Sequence, residues 1–416
     1  MKNTFRALAV RDFRLYFLGQ CVSLVGTWVQ QVAFGWIAYR VTGSAFMLGL
    51  VAFSGQIPSL VLSPFSASLT DRFSRRSVLV VIQVVQMALA ALLAVLVWRG
   101  DISAWILVLA SLVLGVTAAI EMPVRQAVTP VLVRDRVLLT NAIALNSVTF
   151  NAARLVGPAV AGAVLASFGE AACFAINALS YMATIYTLLA IHPAPAAHGD
   201  GKTSIREGVR YVRHFAPARW VIITVVVASF GLAPYLTFMP VYAKDILKGG
   251  ADTLGMLMAS TGLGALSAAL YLANRTSVAG LGIRMVAGCF ATAAASIAFA
   301  YNHLMWLAFP LLIVSGCGTI IVVTSCNILL QSLVPDNLRG KVMALYTMSF
   351  LGVVPVASLV AGAIAHMVGV APVFVLSGVL FAILGGSLYR KLPALREAAY
   401  PVLRAKGLLH HQVKKK

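Results

Sequence analysis

Charged residues are scarce in this chain of 416 residues: they make up 11% of it, and only 12 are Asp or Glu. Soluble domains carry about 25% charged residues. The hydrophobic share is high, at 60%. The apolar residues form about twelve consecutive stretches, each near the roughly 20 residues that cross a bilayer as a helix. We therefore predict an all-α integral membrane protein.

Common sequence motifs of disulfide frameworks, metal sites, nucleotide binding and hydrolase catalysis are also absent. The five cysteines show no Cys-x-x-Cys or Cys/His spacing, so neither a disulfide framework nor a metal site is expected. No G-x-x-x-x-G-K-[ST] loop is present, which excludes ATP as the direct energy source. H-E-x-x-H and G-x-S-x-G are missing as well. We predict no enzyme activity, no metal and no cofactor.

Basic residues are the one abundant charged class, with 32 Lys and Arg and a net charge of +20. Most of them lie in the two tails and in alternate loops. The intervening loops hold only Arg40, Arg99, Lys244 and Lys248. This asymmetry follows the positive-inside rule, which predicts two cytoplasmic termini and an even number of spans. Binding to nucleic acid is not needed to explain the charge.

The predicted spans fall into two groups of six, separated by a longer break. They cover residues 13–40, 45–69, 77–98, 103–124, 138–167, 170–191, 220–242, 253–273, 280–301, 304–330, 342–367 and 371–390. The predicted organisation is an N-terminal six-helix bundle (1–191), a cytoplasmic linker with an amphipathic helix (192–219), a C-terminal six-helix bundle (220–391) and a basic cytoplasmic tail (392–416). The linker helix either lies on the membrane surface or is solvated.

The two halves repeat each other. AGAVLASFGEAACF begins at Ala161, and AGAIAHMVGVAPVF begins 200 positions later at Ala361. LVRD at Leu132 pairs with LVPD at Leu333, at an offset of 201. Two parallel repeats predict a site at their interface, near the bilayer midplane, that opens alternately to each side.

The loop after the second span reads ASLTDRFSRR, from Ala67 to Arg76. It resembles the G-x-L-a-D-r-x-G-r-r/k loop of the major facilitator superfamily, with Ala67 and Ser74 replacing the two glycines. The resemblance implies a cytoplasmic latch, in which an aspartate caps a helix of the opposite half while arginines pair with an acid and with anionic lipid. The implied latch residues of this loop are Asp71, Arg72, Arg75 and Arg76, and Glu121 and Arg125 at the end of the fourth span are further candidates for the latch.

The fifth span contains RLVGPAVAG, which resembles the G-P-x-x-G-G element of the superfamily's antiporters. Gly157, Pro158 and Gly162 match it, and they either bend and pack the half–half interface or serve ordinary close packing. Longer phrases in the first, second, fourth and fifth spans are similar to the bacterial efflux branch that contains the enterobactin exporter. This resemblance implies the major facilitator fold, with twelve helices in two pseudo-symmetric bundles.

Glu121 is the one acid that lies inside a predicted span rather than at a span end, and an ionisable group there is a functional candidate. It lies four residues before Arg125 on the same helix face. Three roles stay open: proton coupling, since a partly desolvated carboxylate can take up a proton near neutral pH; a charge partner for Arg72; or a simple helix-end ion pair with Arg125.

Arg154 also lies well inside a predicted span, away from its ends, and shares a helical stripe with Ser147 and Asn151. It is expected to hold an anionic group, to tune a neighbouring acid or to bind backbone carbonyls. Amides, hydroxyls and aromatics on other spans predict either a wide amphipathic cavity or interhelical hydrogen bonds. The predicted cavity residues are Gln20, Thr27, Gln31, Asn151, Arg154, Tyr235, Phe238, Asn327 and Gln331.

These features together predict a monomeric, proton-coupled exporter of amphipathic small molecules, drug-like or siderophore-like, in a bacterial inner membrane. Its expected partners are the solute, protons and membrane lipid. An importer or lipid flippase of the same fold is the first alternative. A membrane sensor or scaffold that transports nothing is the second.

Overall fold

The computed structural model describes residues 6–62, 74–133, 136–191, 205–275 and 277–406. Across these ranges the regular structure is helical and includes no strand. Eleven helices in them are long and apolar enough to cross a membrane. The chain is therefore a multi-pass membrane protein, as its apolar stretches predict. All five cysteines are free.

The helices of the described residues are α1 (Arg11–Thr42), α2 (Ala45–Leu62), α3 (Arg75–Arg99), α4 (Ala104–Leu132), α5 (Arg136–Ala190), α6 (Ile205–His214), α7 (Ala216–Thr237), α8 (Ala251–Ala273), α9 (Leu281–Ala300), α10 (Met305–Leu333), α11 (Asp336–Leu351), α12 (Val353–Val368) and α13 (Val370–Ala405). A 3₁₀ turn precedes α1. A single α turn and a π-helical turn, Tyr242–Ile246, follow α7.

Two glycines form matching corners in the backbone. Gly169 interrupts the 55 residues of α5 with φ 78° and ψ 178°. Gly369 separates α12 from α13 with φ 87° and ψ 170°. Such angles are accessible essentially only to glycine. The corners lie 200 positions apart, so the sequence repeat extends to backbone geometry.

The chain folds into two compact units. The first contains Met1–Asp200 together with Thr237–Ala259, and the second contains Gly201–Leu236 together with Ser260–Lys416. In the first unit, α1 and α3 pack along α5, and α2 packs along α4. In the second unit, α9 packs against both α10 and α13. Part of the predicted C-terminal bundle, Thr237–Ala259, thus packs with the first unit.

The linker helix α6 packs against the second unit. A Cβ atom added at Gly208 would lie 3.0 Å from the carbonyl oxygen of Lys341 on α11, so the two backbones approach closely. Tyr211 and Val212 contact the apolar core of this unit. Glu207 forms an ion pair with Lys341, and the neighbouring ammonium lowers the pKa of the Glu207 carboxyl. One side of the amphipathic helix therefore faces protein, which neither sequence interpretation anticipates.

The last helix extends past the predicted end of the final span, to Ala405. Ala399 and Leu403 pack against Leu333 of α10. The ammonium of Lys406 donates a hydrogen bond of 2.7 Å to the carbonyl oxygen of Val334. The segment that the sequence predicts as a basic tail therefore begins as a docked helical extension, because its apolar residues recur at helical spacing. Residues 407–416 lie outside the described part of the chain.

Candidate functional site

Glu121 lies at the centre of a polar group inside the apolar helices of the first unit. Its carboxylate oxygens accept hydrogen bonds from Gln83 Nε2 at 2.8 Å and from Gln86 Nε2 at 2.9 Å, both on α3. Gln86 Nε2 also donates to Thr117 Oγ1 at 3.1 Å. The guanidinium of Arg125, one turn further along α4, donates to the same carboxylate. Only 13% of the Glu121 side chain and 18% of the Arg125 side chain are exposed.

Helix α1 completes this site with two further side chains. Gln20 Oε1 accepts a hydrogen bond from Arg125. Tyr16 packs in the same buried core as Ile82 of α3 and Val124 of α4, the residues next to Gln83 and Arg125. Both α1 side chains are buried, at 6% and 1% exposure. We call this site the carboxylate cluster, which consists of Tyr16, Gln20, Gln83, Gln86, Thr117, Glu121 and Arg125.

The carboxylate cluster contains buried polar atoms that have no partner among the described residues. They are the hydroxyl of Tyr16, the Oε1 atom of Gln83 and the Nε atom of Arg125. An unsatisfied buried group costs about 1–3 kcal/mol, so native structures contain few of them.

The sequence predicts Glu121 and Arg125 at this site but does not single out Gln83, Gln86 or Tyr16. A signal for the glutamines exists, because they lie three positions apart in a span that is otherwise apolar between residues 78 and 98. Tyr16 carries no such signal, since a tyrosine near the start of a span is typical of the membrane interface.

Two of the four predicted latch residues of the loop, Arg75 and Arg76, lie within the described part of the chain. Asp71 and Arg72 lie outside the residues that the structure describes. Arg76 donates a hydrogen bond of 2.6 Å to the carbonyl oxygen of Leu189, near the end of α5. A cation is favourable there because the last carbonyls of a helix lack partners within it. Arg75 is half-buried.

The antiporter-like element on α5 consists of close contacts within the first unit. A Cβ atom at Gly157 would lie 2.5 Å from the Cγ atom of Trp28. At Gly162 it would lie 2.7 Å from the Cα atom of Gly255 on α8, and at Gly255 it would lie 2.8 Å from the Pro158 carbonyl oxygen. The backbones of α5 and α8 therefore touch through two glycines, an approach that a larger residue would prevent.

A second polar group joins the C-terminal end of α1 to other parts of the first unit. The hydroxyl of Tyr39 donates to Asp245 in the π-helical turn. The ammonium of Lys244 lies 5.7 Å from the centre of the Tyr39 ring. Arg40 makes a two-pronged contact with the Glu170 carboxylate, at 2.6 and 2.8 Å. The sequence predicts none of these pairs, because isolated charges far apart in sequence indicate only helix ends.

The predicted cavity residues of the first five spans differ from one another in their exposure. Thr27 and Gln31 are exposed on α1. The hydroxyl of Thr27 donates to its own helix backbone. Gln20 is bound within the carboxylate cluster rather than exposed to a cavity. The side chains of Asn151 and Arg154 lie outside what the structure describes.

The remaining predicted cavity residues also separate into two kinds. Tyr235 and Phe238 are 5% and 0% exposed, so neither lines an open cavity in this conformation. The Tyr235 hydroxyl shares a hydrogen bond with the Ser296 hydroxyl, and its ring packs against the ring of Phe374. Asn327 and Gln331 on α10 are accessible, and Gln331 Nε2 donates to Asn327 Oδ1 at 2.6 Å.

A family model described as transmembrane secretion effector matches residues 2–415. The chain belongs to this family, within the major facilitator superfamily. The chain is 23% identical over 373 residues to the staphyloferrin A transporter of Staphylococcus aureus, covering 88% of this chain and 92% of that protein. It is 26% identical over 411 residues to the multidrug efflux pump Tap of Mycobacterium tuberculosis, covering 95% and 96%. By its family, the chain is a membrane transporter and not an enzyme.

Solved structures support the fold. The nucleoside transporter NupG superposes with a TM-score of 0.71 at 15% identity, covering 91% of this chain and 99% of the NupG chain. A bacterial homologue of the iron transporter ferroportin, in an inward-facing state, gives 0.71 at 17% identity, covering 91% and 98%. At such identities the likeness concerns the fold alone, which is that of the major facilitator transporters.

Proposed function

We propose that this protein exports amphipathic small molecules from a bacterial cytoplasm in exchange for protons. The observation that carries the proposal is the Glu121–Arg125 ion pair, held by two glutamines inside apolar spans. A titratable group in that environment is costly, and its presence is typical of proton pathways. Efflux relatives support the outward direction.

Protonation of Glu121 would reverse its role in hydrogen bonding. As a carboxylate it only accepts, whereas a protonated carboxyl also donates. Gln83 Oε1 is buried and has no hydrogen-bond partner among the described residues, so rotation of the Gln83 amide offers an acceptor. Loss of the negative charge also removes the counter-ion of Arg125. Proton uptake therefore changes the contacts among α1, α3 and α4, which is the differential interaction that coupling requires.

The proposed architecture has twelve spans in two six-helix bundles. The described ranges contain eleven candidate spans, and the corner at Gly169 allows α5 to cross the membrane twice. We propose the boundaries 1–191, 192–219, 220–391 and 392–416 for the two bundles, the linker and the C-terminal segment. The distribution of basic residues supports cytoplasmic termini in an inner membrane. The protein is proposed to act as a monomer.

The proposed substrates are drug-like or siderophore-like molecules. The relatives are named for staphyloferrin A, for macrolides and for multiple drugs. The accessible polar side chains of Thr27, Gln31, Asn327 and Gln331 supply hydroxyl and amide groups suited to an amphipathic solute. An importer or lipid flippase of the same fold, or a sensor without transport, would use the same helices differently.

Transport in proteoliposomes tests the proposal. Protease protection of the basic C-terminal segment fixes the orientation, and an acidic compartment is imposed on the predicted outer side. A radiolabelled macrolide and staphyloferrin A are expected to accumulate against the proton flow, in the acidic compartment. Movement with the protons would identify an importer, and transfer of a fluorescent phospholipid between leaflets would identify a flippase. No movement of any probe would favour the sensor.

We also propose that Tyr39 and Asp245 help to hold the outer end of the first unit closed. Tyr39→Phe removes the donor of a hydrogen bond to a charged group, which is worth about 1.5–3 kcal/mol. The closed form should then lose roughly tenfold or more in population relative to an open form. A cysteine introduced by Gly35→Cys reports the opening, because a Cβ atom there would lie 3.6 Å from the Cγ of Pro240 in ordinary contact.

The measurement is the labelling rate of that cysteine by a maleimide that does not cross membranes. The chain without Gly35→Cys gives the background of its native cysteines. Tyr301→Phe is the matched control, because Tyr301 is 65% exposed. Labelling that is equally fast with and without the Tyr39 hydroxyl would contradict the closing role.

A further inference from the structure

Two arginines of the second unit lie together without a carboxylate partner among the described residues. Arg275 follows α8, and Arg284 lies in the first turn of α9. The carbonyl oxygen of Ala279 accepts from Arg275 Nη2 at 2.9 Å and from Arg284 Nη1 at 3.4 Å. Arg284 Nε donates to the hydroxyl of Tyr271 at 2.7 Å. Two positive groups thus converge on one neutral loop, an arrangement that an anion would stabilise.

Arg275 has a further feature that points to a ligand. Its Nε atom is buried and has no hydrogen-bond partner among the described residues. A guanidinium carries five N–H donors in a planar fork that suits phosphate oxygens. The carbonyl oxygens that Arg275 does contact carry no net charge. The site therefore has donors and positive charge left over.

An apolar pocket opens beside these arginines. It is partly open to solvent, and Ala279 belongs to its wall. The wall is otherwise almost entirely apolar and includes Trp220, Val278, Leu329, Leu388, Leu395 and Leu403. A second pocket adjoins it, sharing Val278 and Leu281, and Arg275 lines this second pocket. Basic and apolar surfaces are thus continuous.

The docked extension of α13 forms one side of the apolar pocket. Leu395, Ala399 and Leu403 line it, and Arg396 is the one charged residue in its wall. This extension covers the apolar ends of α9 and α10 that line the pocket. A molecule in the pocket would contact α9, α10 and α13 together.

We propose that an anionic phospholipid binds here, with its phosphate on Arg275 and Arg284 and an acyl chain in the apolar pocket. Arginine pairs phosphate groups bidentately, and basic pockets between membrane helices on the cytoplasmic side bind anionic headgroups. The loop that holds both arginines is basic and predicted to be cytoplasmic, where anionic lipid concentrates. The site shares no residue with the carboxylate cluster and does not rest on the proposed direction of transport.

The experiment measures lipid binding to the purified full-length chain by native mass spectrometry. Dioleoyl-phosphatidylglycerol is titrated against dioleoyl-phosphatidylcholine, which carries no net charge. The native chain should retain phosphatidylglycerol preferentially. Arg275→Gln and Arg284→Gln should each weaken that binding about tenfold, as expected for loss of a hydrogen-bonded charge. Arg390→Gln is the control, because Arg390 is an exposed arginine of α13 that does not line the pocket.

A second variant tests the apolar half of the site. Leu395→Glu places a negative charge in the pocket wall at a half-buried position, and should abolish the preference for phosphatidylglycerol. Thermal unfolding without lipid checks that each variant is folded. Added phosphatidylglycerol should raise the unfolding temperature of the native chain and of Arg390→Gln, but not that of the other variants.

Several results would overturn the lipid site. One is equal retention of the two lipids by the native chain. Another is unchanged binding in the double variant Arg275→Gln/Arg284→Gln. Competition by inorganic phosphate as strong as that by phosphatidylglycerol would show a phosphate site without a lipid tail. Equally strong competition by oleate would show a fatty-acid site instead.

Discussion

Glu121→Gln is expected to remove the dependence of export on a pH gradient. Glutamine keeps the shape of the side chain but cannot carry a proton, and its one carbonyl oxygen can accept from only one of the two α3 amides that donate to separate Glu121 oxygens. It also leaves Arg125, with 18% of its side chain exposed, without its counter-ion. Removing one partner of a buried ion pair costs about 3–5 kcal/mol of stability. Transport at several imposed gradients and the unfolding temperature are the two measurements.

The double variant Glu121→Gln/Arg125→Gln separates coupling from structure. Replacing both partners removes the unpaired charge, so most of the lost stability should return. If Glu121 carries the proton, gradient dependence stays absent in the double variant. If the pair only joins helix ends, the double variant regains gradient-driven transport. Glu397→Gln is the matched control, because Glu397 is an exposed glutamate on α13.

The remaining interpretation makes Glu121 a partner of Arg72 in the latch. In that case Arg72→Gln should reproduce the whole phenotype of Glu121→Gln, including the pH profile. A coupling role predicts instead that Arg72→Gln lowers the transport rate and leaves the pH profile in place. The same transport assay, run on both variants, distinguishes the two.

Gly162→Val is expected to have the second large effect. The new Cβ atom would lie 2.7 Å from the Cα of Gly255 and 2.9 Å from the carbonyl oxygen of Ala251. Because both neighbours are backbone atoms, α5 and α8 must move apart. Overpacking of this kind costs about 1–3 kcal/mol, which corresponds to a shift of roughly 5–150-fold between two conformations. The form in which these helices touch should become rare.

The readout is transport, together with labelling of Gly35→Cys as described above. Gly386→Val is the control, since a Cβ atom at Gly386 on α13 would meet nothing within 4 Å. Normal export by Gly162→Val, with labelling as slow as in the parent, would show that the contact between α5 and α8 has no role in the cycle.

The sequence predicts the helical membrane fold well because hydrocarbon imposes a length and a composition on every span. It also predicts the break near residue 169, where one apolar stretch is followed by another. The docking of residues 392–406 is not predictable in this way. Whether Leu403 contacts lipid, water or Leu333 depends on tertiary packing that periodicity does not specify.

The candidate site shows the same limit at the level of single side chains. Glu121 and Arg125 stand out because charges inside spans are rare. The glutamines that hold them are neutral, and a glutamine in a span indicates interhelical bonding without naming the partner. Ser74 is a similar case: it replaces a glycine of the latch motif, yet its hydroxyl accepts from the Ser77 amide at 3.1 Å and caps α3.

The corners at Gly169 and Gly369 set a constraint of handedness rather than of volume. No atom lies within 4 Å of a Cβ added at either position, so there is room for a methyl group. An L-alanine would nevertheless be strained, because its stereocentre disfavours these angles. The mirror-image D-alanine would find them comfortable, since inverting both angles gives an ordinary extended backbone. Each half of the chain thus turns at a glycine, the one residue whose Cα is not a stereocentre.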